Sequence, residues 1–201
     1  MTRSVSHDQN FKNLILDYPK QALELFAEAE ASGLDTAVRI TPIRQEQLKD
    51  RLGDRFRELD VPLLVEWPDD RREALLFVLE EETDPKRFSI HRLVHYCIDL
   101  SELFETDRVV PVVIFLNRGN LRTHLSLGSE QHTYLDFQFI YCDLPNLPVE
   151  HYWHSDNLVA RLNLPNMHWT PEQKVQVYGQ ATRGLLELER DPNKQRKYID
   201  F

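Results

Sequence analysis

Cysteine is scarce in this chain, with two residues, Cys97 and Cys142, among 201. Both sit in apolar or aromatic surroundings (VHYCIDL and FIYCDLP), so two buried reduced thiols are expected rather than a disulfide framework, and a cytoplasmic setting is the expected one. No apolar run reaches the roughly 20 residues that a helix needs to cross a bilayer. The opening MTRSVSHDQN is polar and carries no apolar h-region, so neither a secretory leader nor a membrane partner is expected. Neither GxxxxGKS/T nor GxGxxG occurs, which removes the familiar nucleotide-binding loops. Ser126, Ser129 and His124 lack the context of a nucleophile elbow, so a hydrolase triad is not expected there. There is no internal repeat, low-complexity tract or linker, and the length suits one domain over 1–201.

Positive charge is also in deficit. The chain has 33 acids against 24 bases, a net charge of −9. Phosphate-rich partners need a positive surface, so general affinity for nucleic acid or anionic lipid is not expected. The balance reverses between residues 39 and 57, where Arg39, Arg44, Lys49, Arg51, Arg55 and Arg57 face only Glu46, Asp50 and Asp54. Six bases less three acids leaves +3. Such a stretch reads either as a phosphate-facing patch or as the solvated face of a surface helix. Apolar residues at 41% and aromatics at 10% exclude a disordered chain.

Residues 8–31 place Phe11, Leu14, Ile15, Leu23, Leu25 and Phe26 at helical spacing, interrupted by Pro19. This predicts one kinked helix or a short helix followed by a longer one, capped at Ser6 or Asp8 and ended by Gly33. TAVRITP at 36–42 alternates like a strand, and the basic segment after it is expected to be partly helical. Residues 59–67 and 73–82 flank the turn PDDRR and read as a β-hairpin. Pro62 lacks a ladder donor, which predicts an edge or a bulge there. Ile90, Leu93, Val94, Cys97, Ile98, Leu100 and Phe104 predict a helix over 88–104 that buries Leu93, Val94, Ile98 and Phe104. VVPVVIFL at 109–116 reads as a central buried strand, 133–141 as a further strand, 144–149 as a proline-rich loop and 172–189 as the last long helix. The order predicts one α/β domain with a mixed sheet.

Glu80, Glu81 and Glu82 end the run LLFVL. Alternation along a strand puts Glu80 and Glu82 on one face and Glu81 on the other. Unpaired buried carboxylates are costly, and a cation would relieve that cost. Asp60, near the start of the preceding strand, meets them across the hairpin if the register brings it beside Glu80. Hard cations such as Mg2+ take oxygen ligands of this kind. The same run also reads as a solvated strand end leading into a loop. A second metal reading, zinc on His151, His154, His168 and Cys142, ranks lower, because Tyr152 and Trp153 beside the HxxH pair suggest ordinary packing.

These residues, taken in order, resemble the PD-(D/E)XK nuclease superfamily, and within it the recombination-promoting nuclease, or transposase-like, group. The likeness rests on His7-Asp8-Gln9-Asn10-Phe11-Lys12, Asp60, Leu79-Glu80-Glu81-Glu82, Pro85, Arg92 with Tyr96, and the Pro-bearing strand from Val109 to Phe115. It implies a restriction-endonuclease-like core (helix, three strands, helix, strand) over 7–116, followed by a C-terminal extension over 117–201 with a strand and a helix. It implies a Mg2+- or Mn2+-dependent DNA endonuclease that hydrolyses a phosphodiester with metal-activated water. Asp60, Glu80 and Glu82 are then the expected catalytic residues. Asp60, Glu80 and the Glu81 carbonyl are the metal ligands, with Glu82 as auxiliary ligand or base. Arg92 and the basic residues of 39–57 are the phosphate contacts. DNA is the expected partner, held weakly given the charge of −9, and a homo-oligomer is compatible with the family. One position departs from the pattern: the family's Lys, often Gln in this group, is Glu82 here, and glutamate cannot supply positive charge. The alternative is therefore a catalytically inactive member of the fold that serves as a binding or assembly module.

Overall fold

The first helical stretch breaks at Pro19, where the missing N–H cannot continue a helix. In the computed structural model, which describes residues 7–32, 34, 37–43, 45–52, 61–69, 72–80, 88–116 and 122–199, α1 spans His7–Asp17 and α2 spans Pro19–Phe26. Pro19 occupies the first turn of α2, where an absent donor costs nothing. The short α3 (Glu28–Ala31) follows; the expected cap at Ser6 and the expected end at Gly33 lie outside the described residues, and the alternative cap, Asp8, falls inside α1. Next come β1 (Arg39–Pro42), α4 (Gln45–Leu52), β2 (Val61–Glu66), β3 (Arg72–Glu80), α5 (Ile90–Phe104) and β4 (Val109–Phe115). The chain continues through β5 (His124–Gly128), β6 (Thr133–Gln138), β7 (Ile140–Asp143), α6 (Leu158–Leu162), α7 (Lys174–Leu188) and α8 (Pro192–Tyr198). The proline-rich stretch 144–151 forms two 3-10 turns, Leu144–Asn146 and Val149–His151. The fold is mixed α/β.

The chain divides into two compact units, Gly33–Cys142 and Met1–Ser32 with Asp143–Phe201. In the first, the sheet runs in the order β1-β2-β3-β4-β7. β1, β2 and β3 pair antiparallel in sequence, as the hairpin reading requires. α5 then carries the chain over to β4, which pairs parallel to β3. β4 is buried along Pro111–Phe115, so its near-continuous apolar run has a simple cause: both faces are covered. Val113 and Phe115 share one cluster with Leu93, Tyr96 and Leu100 of α5 and with Ile43 and Leu48. Pro62 is on neither an edge nor a bulge: β2 lies between β1 and β3. Its carbonyl accepts from the Ile43 N–H at 2.9 Å, so its backbone faces the last rung of the β1 ladder and the missing donor costs one terminal bond.

Two expectations fail in this unit. Ile98 is 53% exposed, and Phe104 is half-buried. α5 turns toward the sheet through Leu93, Tyr96 and Leu100, and Ile98 lies roughly 140° around the helix from Leu93, at about 100° per residue. The stretch 133–141 is also not one strand. It breaks at Phe139, with β6 pairing β5 in a separate two-stranded sheet and β7 joining the main sheet. Alternation continues across Phe139, so the pattern gave no sign of the break.

In the other unit α6 packs on α2 and α7. Asn157 caps α6 by accepting from the Ala160 N–H at 3.0 Å, and its amide donates to the Gln21 carbonyl at 2.8 Å. α8 is tied down when Tyr198 Oη and Lys197 Nζ both donate to Asp17 Oδ2, at 2.6 and 2.7 Å. The buried Arg161 guanidinium reaches the Gln180 carbonyl at 3.0 Å and lies over Gly184. A Cβ at Gly184 would stand 2.7 Å from both Arg161 Cβ and Nε, whereas one at Gly179 in the same helix would meet nothing within 4 Å. The two glycines should therefore respond with opposite sign. Gly184→Ala is expected to lower stability by about 1–2 kcal/mol, overpacking outweighing the helix-propensity gain. Gly179→Ala is expected to raise it by up to about 1 kcal/mol. Urea unfolding of both variants checks this; two shifts of the same sign would contradict the packing described.

Candidate functional site

Antiparallel pairing puts the start of β2 and the end of β3 at one end of the sheet, with Val61 opposite Phe77. Parallel pairing brings the end of β4 to the same place, with Glu80 in register with Phe115. The start of α5 is also there. Phe88, two residues ahead of that helix, packs its ring on Phe115 edge-on at 5.7 Å and on Phe139 at 5.5 Å. Ser89 caps the helix, its Oγ accepting from the Arg92 N–H at 3.3 Å. Carboxyl ends of parallel strands and a helix N-terminus thus share one corner. Backbone N–H groups and the positive end of the helix dipole favour an anion at such a corner.

Glu80 reaches this corner as the last residue of β3, although the position of its carboxylate lies outside what the structure describes. Asp60, Glu81 and Glu82 lie outside the described residues, and so does the expected convergence of Asp60 with Glu80. Arg92 stands in the first turn of α5 and is half-buried, which puts it at the same corner as the end of β3. Tyr96 is buried in the core and His95 is exposed.

The basic stretch does not gather here as a block. Arg39 is exposed at the start of β1, in register with Glu66, which pairs with Arg72 at the far end of β3. Arg72 and Glu80 are roughly 25 Å apart at about 3.3 Å per residue. Lys49 is exposed on α4, and Arg51 is described there by its backbone alone. Arg44, Arg55 and Arg57 lie outside the described residues. Sequence reasoning overlooked Phe88 and Ser89, which hold α5 at the corner. The available signal was a serine directly before an apolar-periodic run.

Among the described residues no group of three His, Cys, Asp or Glu side chains is placed to hold a metal ion. His151, His154 and His168 are exposed. His124 Nε2 and Asp136 Oδ2 are 2.9 Å apart on the β5–β6 surface. Neither cysteine forms a disulfide, and burial pushes the Cys97 thiol up to about 12. A thiol held protonated at neutral pH is not a nucleophile. Iodoacetamide at pH 8 is accordingly expected to label the native chain slowly and the urea-unfolded chain quickly. Equal rates would contradict the burial of Cys142 and the partial shielding of Cys97. No helix among the described residues is long and apolar enough to cross a membrane. Compared with known proteins, the chain matches no family model, no curated protein and no solved structure.

Proposed function

We propose that this chain is a divalent-metal-dependent DNA phosphodiesterase with a restriction-endonuclease-like core of the PD-(D/E)XK type. The observation that carries the reading is the shared corner: Glu80 ends β3 where the capped N-terminus of α5 brings Arg92. The element order along the chain supports it as well, with β1, β2 and β3 followed by α5 and β4; the helices that precede them in sequence belong to the other unit. α4 is an insertion between β1 and β2 relative to that pattern.

Carboxylate oxygens suit a hard cation, so the donor set fits Mg2+ or Mn2+. Asp60 and Glu80 would hold the ion with the Glu81 carbonyl, and Glu82 would add a ligand or act as a base. An ion held there would supply a more acidic bound water and offset charge on the phosphate. Arg92 and the start of α5 orient the phosphate. The exposed Lys49 on α4 extends the contact, and the remaining bases of 39–57 are assigned to the flanking backbone. The net charge of −9 makes binding weak, and the basic contacts make it salt-dependent, each neutralised phosphate adding about −0.9 to the log–log slope for duplex DNA.

Glu82 in the family's Lys or Gln position favours a second reading, an inactive module that retains the fold. Plasmid and oligonucleotide cleavage in Mg2+ or Mn2+, with a chelator control, distinguishes the two. The enzyme reading expects metal-dependent cutting by the natural chain and equal or lower activity in Glu82→Lys. A natural chain that does not cut, beside a Glu82→Lys variant that does, would establish the inactive module instead.

A further inference from the structure

We infer that Tyr141 stacks an unpaired nucleobase beside the scissile phosphate, so that the substrate is DNA with unpaired bases rather than intact duplex. This names the substrate class of the proposed phosphodiesterase and rests on that reading. β7 lies beside β4 in the main sheet, and the Tyr141 ring sits on that of Phe115, with centroids 5.0 Å apart and planes tilted by 39°. Phe115 ends β4 in register with Glu80, and its ring also meets Phe88 just ahead of α5. Tyr141 therefore stands at the corner shared by the end of β3 and the start of α5. Phe88 is half-buried and Phe115 is 1% exposed, whereas Tyr141 keeps 37% of its surface open.

Charge separates paired from unpaired DNA here. A chain of net charge −9 grips duplex weakly through phosphates, and Arg39 of the basic stretch lies at the far end of the sheet. A neutral contact has to supply the rest of the affinity, and base–aromatic stacking is such a contact. Duplex cannot use it, because its bases are stacked on one another. Any unpaired base can, because every base has a π-face. The corner offers both halves of the contact: the open part of the Tyr141 ring for the base, and Arg92 with the capped start of α5 for the adjoining phosphate. The buried Phe115 ring backs Tyr141, so little side-chain freedom is left to lose on stacking.

The test uses the full chain and two probes, a labelled mixed-sequence single strand and its blunt duplex. Binding is read by fluorescence anisotropy in Ca2+, which takes the same oxygen ligands as Mg2+, and cutting of both probes is followed in Mg2+. The single strand is expected to bind at least tenfold tighter than the duplex, and the margin should persist as salt rises, because stacking is not screened. Tyr141→Ala should weaken the single strand by roughly five- to a hundredfold, the range for one base on one aromatic ring, and leave the duplex unchanged. Tyr141→Phe should keep the affinity. Tyr141→Leu, which still fills the space against Phe115, should lose it, and this variant carries the test if the alanine variant fails to fold. The inference is overturned if the duplex binds as tightly as the single strand, if neither probe binds, or if Tyr141→Leu binds the single strand as well as the natural chain does. Cutting reports separately on the reading beneath it. A chain that holds the single strand through Tyr141 yet cuts neither probe keeps the stacking contact and loses the phosphodiesterase; one that cuts both probes equally, with or without Tyr141, keeps the enzyme and loses this inference.

Discussion

Phe115→Ala is expected to lower the free energy of unfolding by about 3–5 kcal/mol. Phe115 ends β4 and is 1% exposed. Its ring meets Phe88 at 5.7 Å and Tyr141 at 5.0 Å, and it belongs to the cluster that α5 forms through Leu93, Tyr96 and Leu100. Truncation removes the transfer free energy of the ring and leaves a cavity that strands on both sides cannot readily collapse. Phe88 loses one of its two ring partners at the same time, so the first turn of α5 should show faster amide exchange than the helix centre. Ile98→Ala is the control. It removes a side chain of similar apolar character from the same layer, but at 53% exposure it should cost less than about 1 kcal/mol. Denaturant unfolding of the two variants measures the difference; similar losses would mean that α5 faces the sheet by another side.

That pair of residues also marks what the sequence could and could not disclose. The hairpin was legible because β2 and β3 flank a turn signal and pair in simple register. The buried strand β4 was legible because no alternating pattern survives when both faces are covered. The phase of α5 was less so. Apolar residues cover well over half its circumference, and only packing decides that Tyr96 turns inward and Ile98 outward. Gly184 had no signature at all, since what forbids a side chain there is Arg161, 23 positions earlier in the chain. The break at Phe139 was hidden because two strands in different sheets keep one alternation. For the site, order along the chain fixed the candidates, and the antiparallel and parallel pairings then brought Glu80 and the start of α5 to one end. Arg39 shows the converse: charge composition grouped it with Lys49 and Arg51, and the register of β1 sends it to the other end of the sheet.

Asp60→Ala is expected to reduce metal-dependent DNA cleavage to background. A carboxylate that holds the ion also sets the position of the water the ion activates, so its loss removes both together. Arg92→Ala should behave differently, weakening DNA binding and lowering kcat/KM while metal affinity is kept, because in the proposed site it would contact phosphate and not the ion. A variant at Asp60 that still cuts as well as the natural chain would remove Asp60 from the mechanism.

Metal binding tests the site without requiring turnover. Electron paramagnetic resonance titration of the full chain with Mn2+ should reveal one site that Mg2+ displaces. Asp60→Ala and Glu80→Ala should each weaken that site at least tenfold, about 1.4 kcal/mol, and leave the unfolding midpoint in the absence of metal close to that of the natural chain. A chain that binds no Mn2+, or one whose Mn2+ site is untouched by both substitutions, would contradict the assignment of Asp60 and Glu80 to a shared cation.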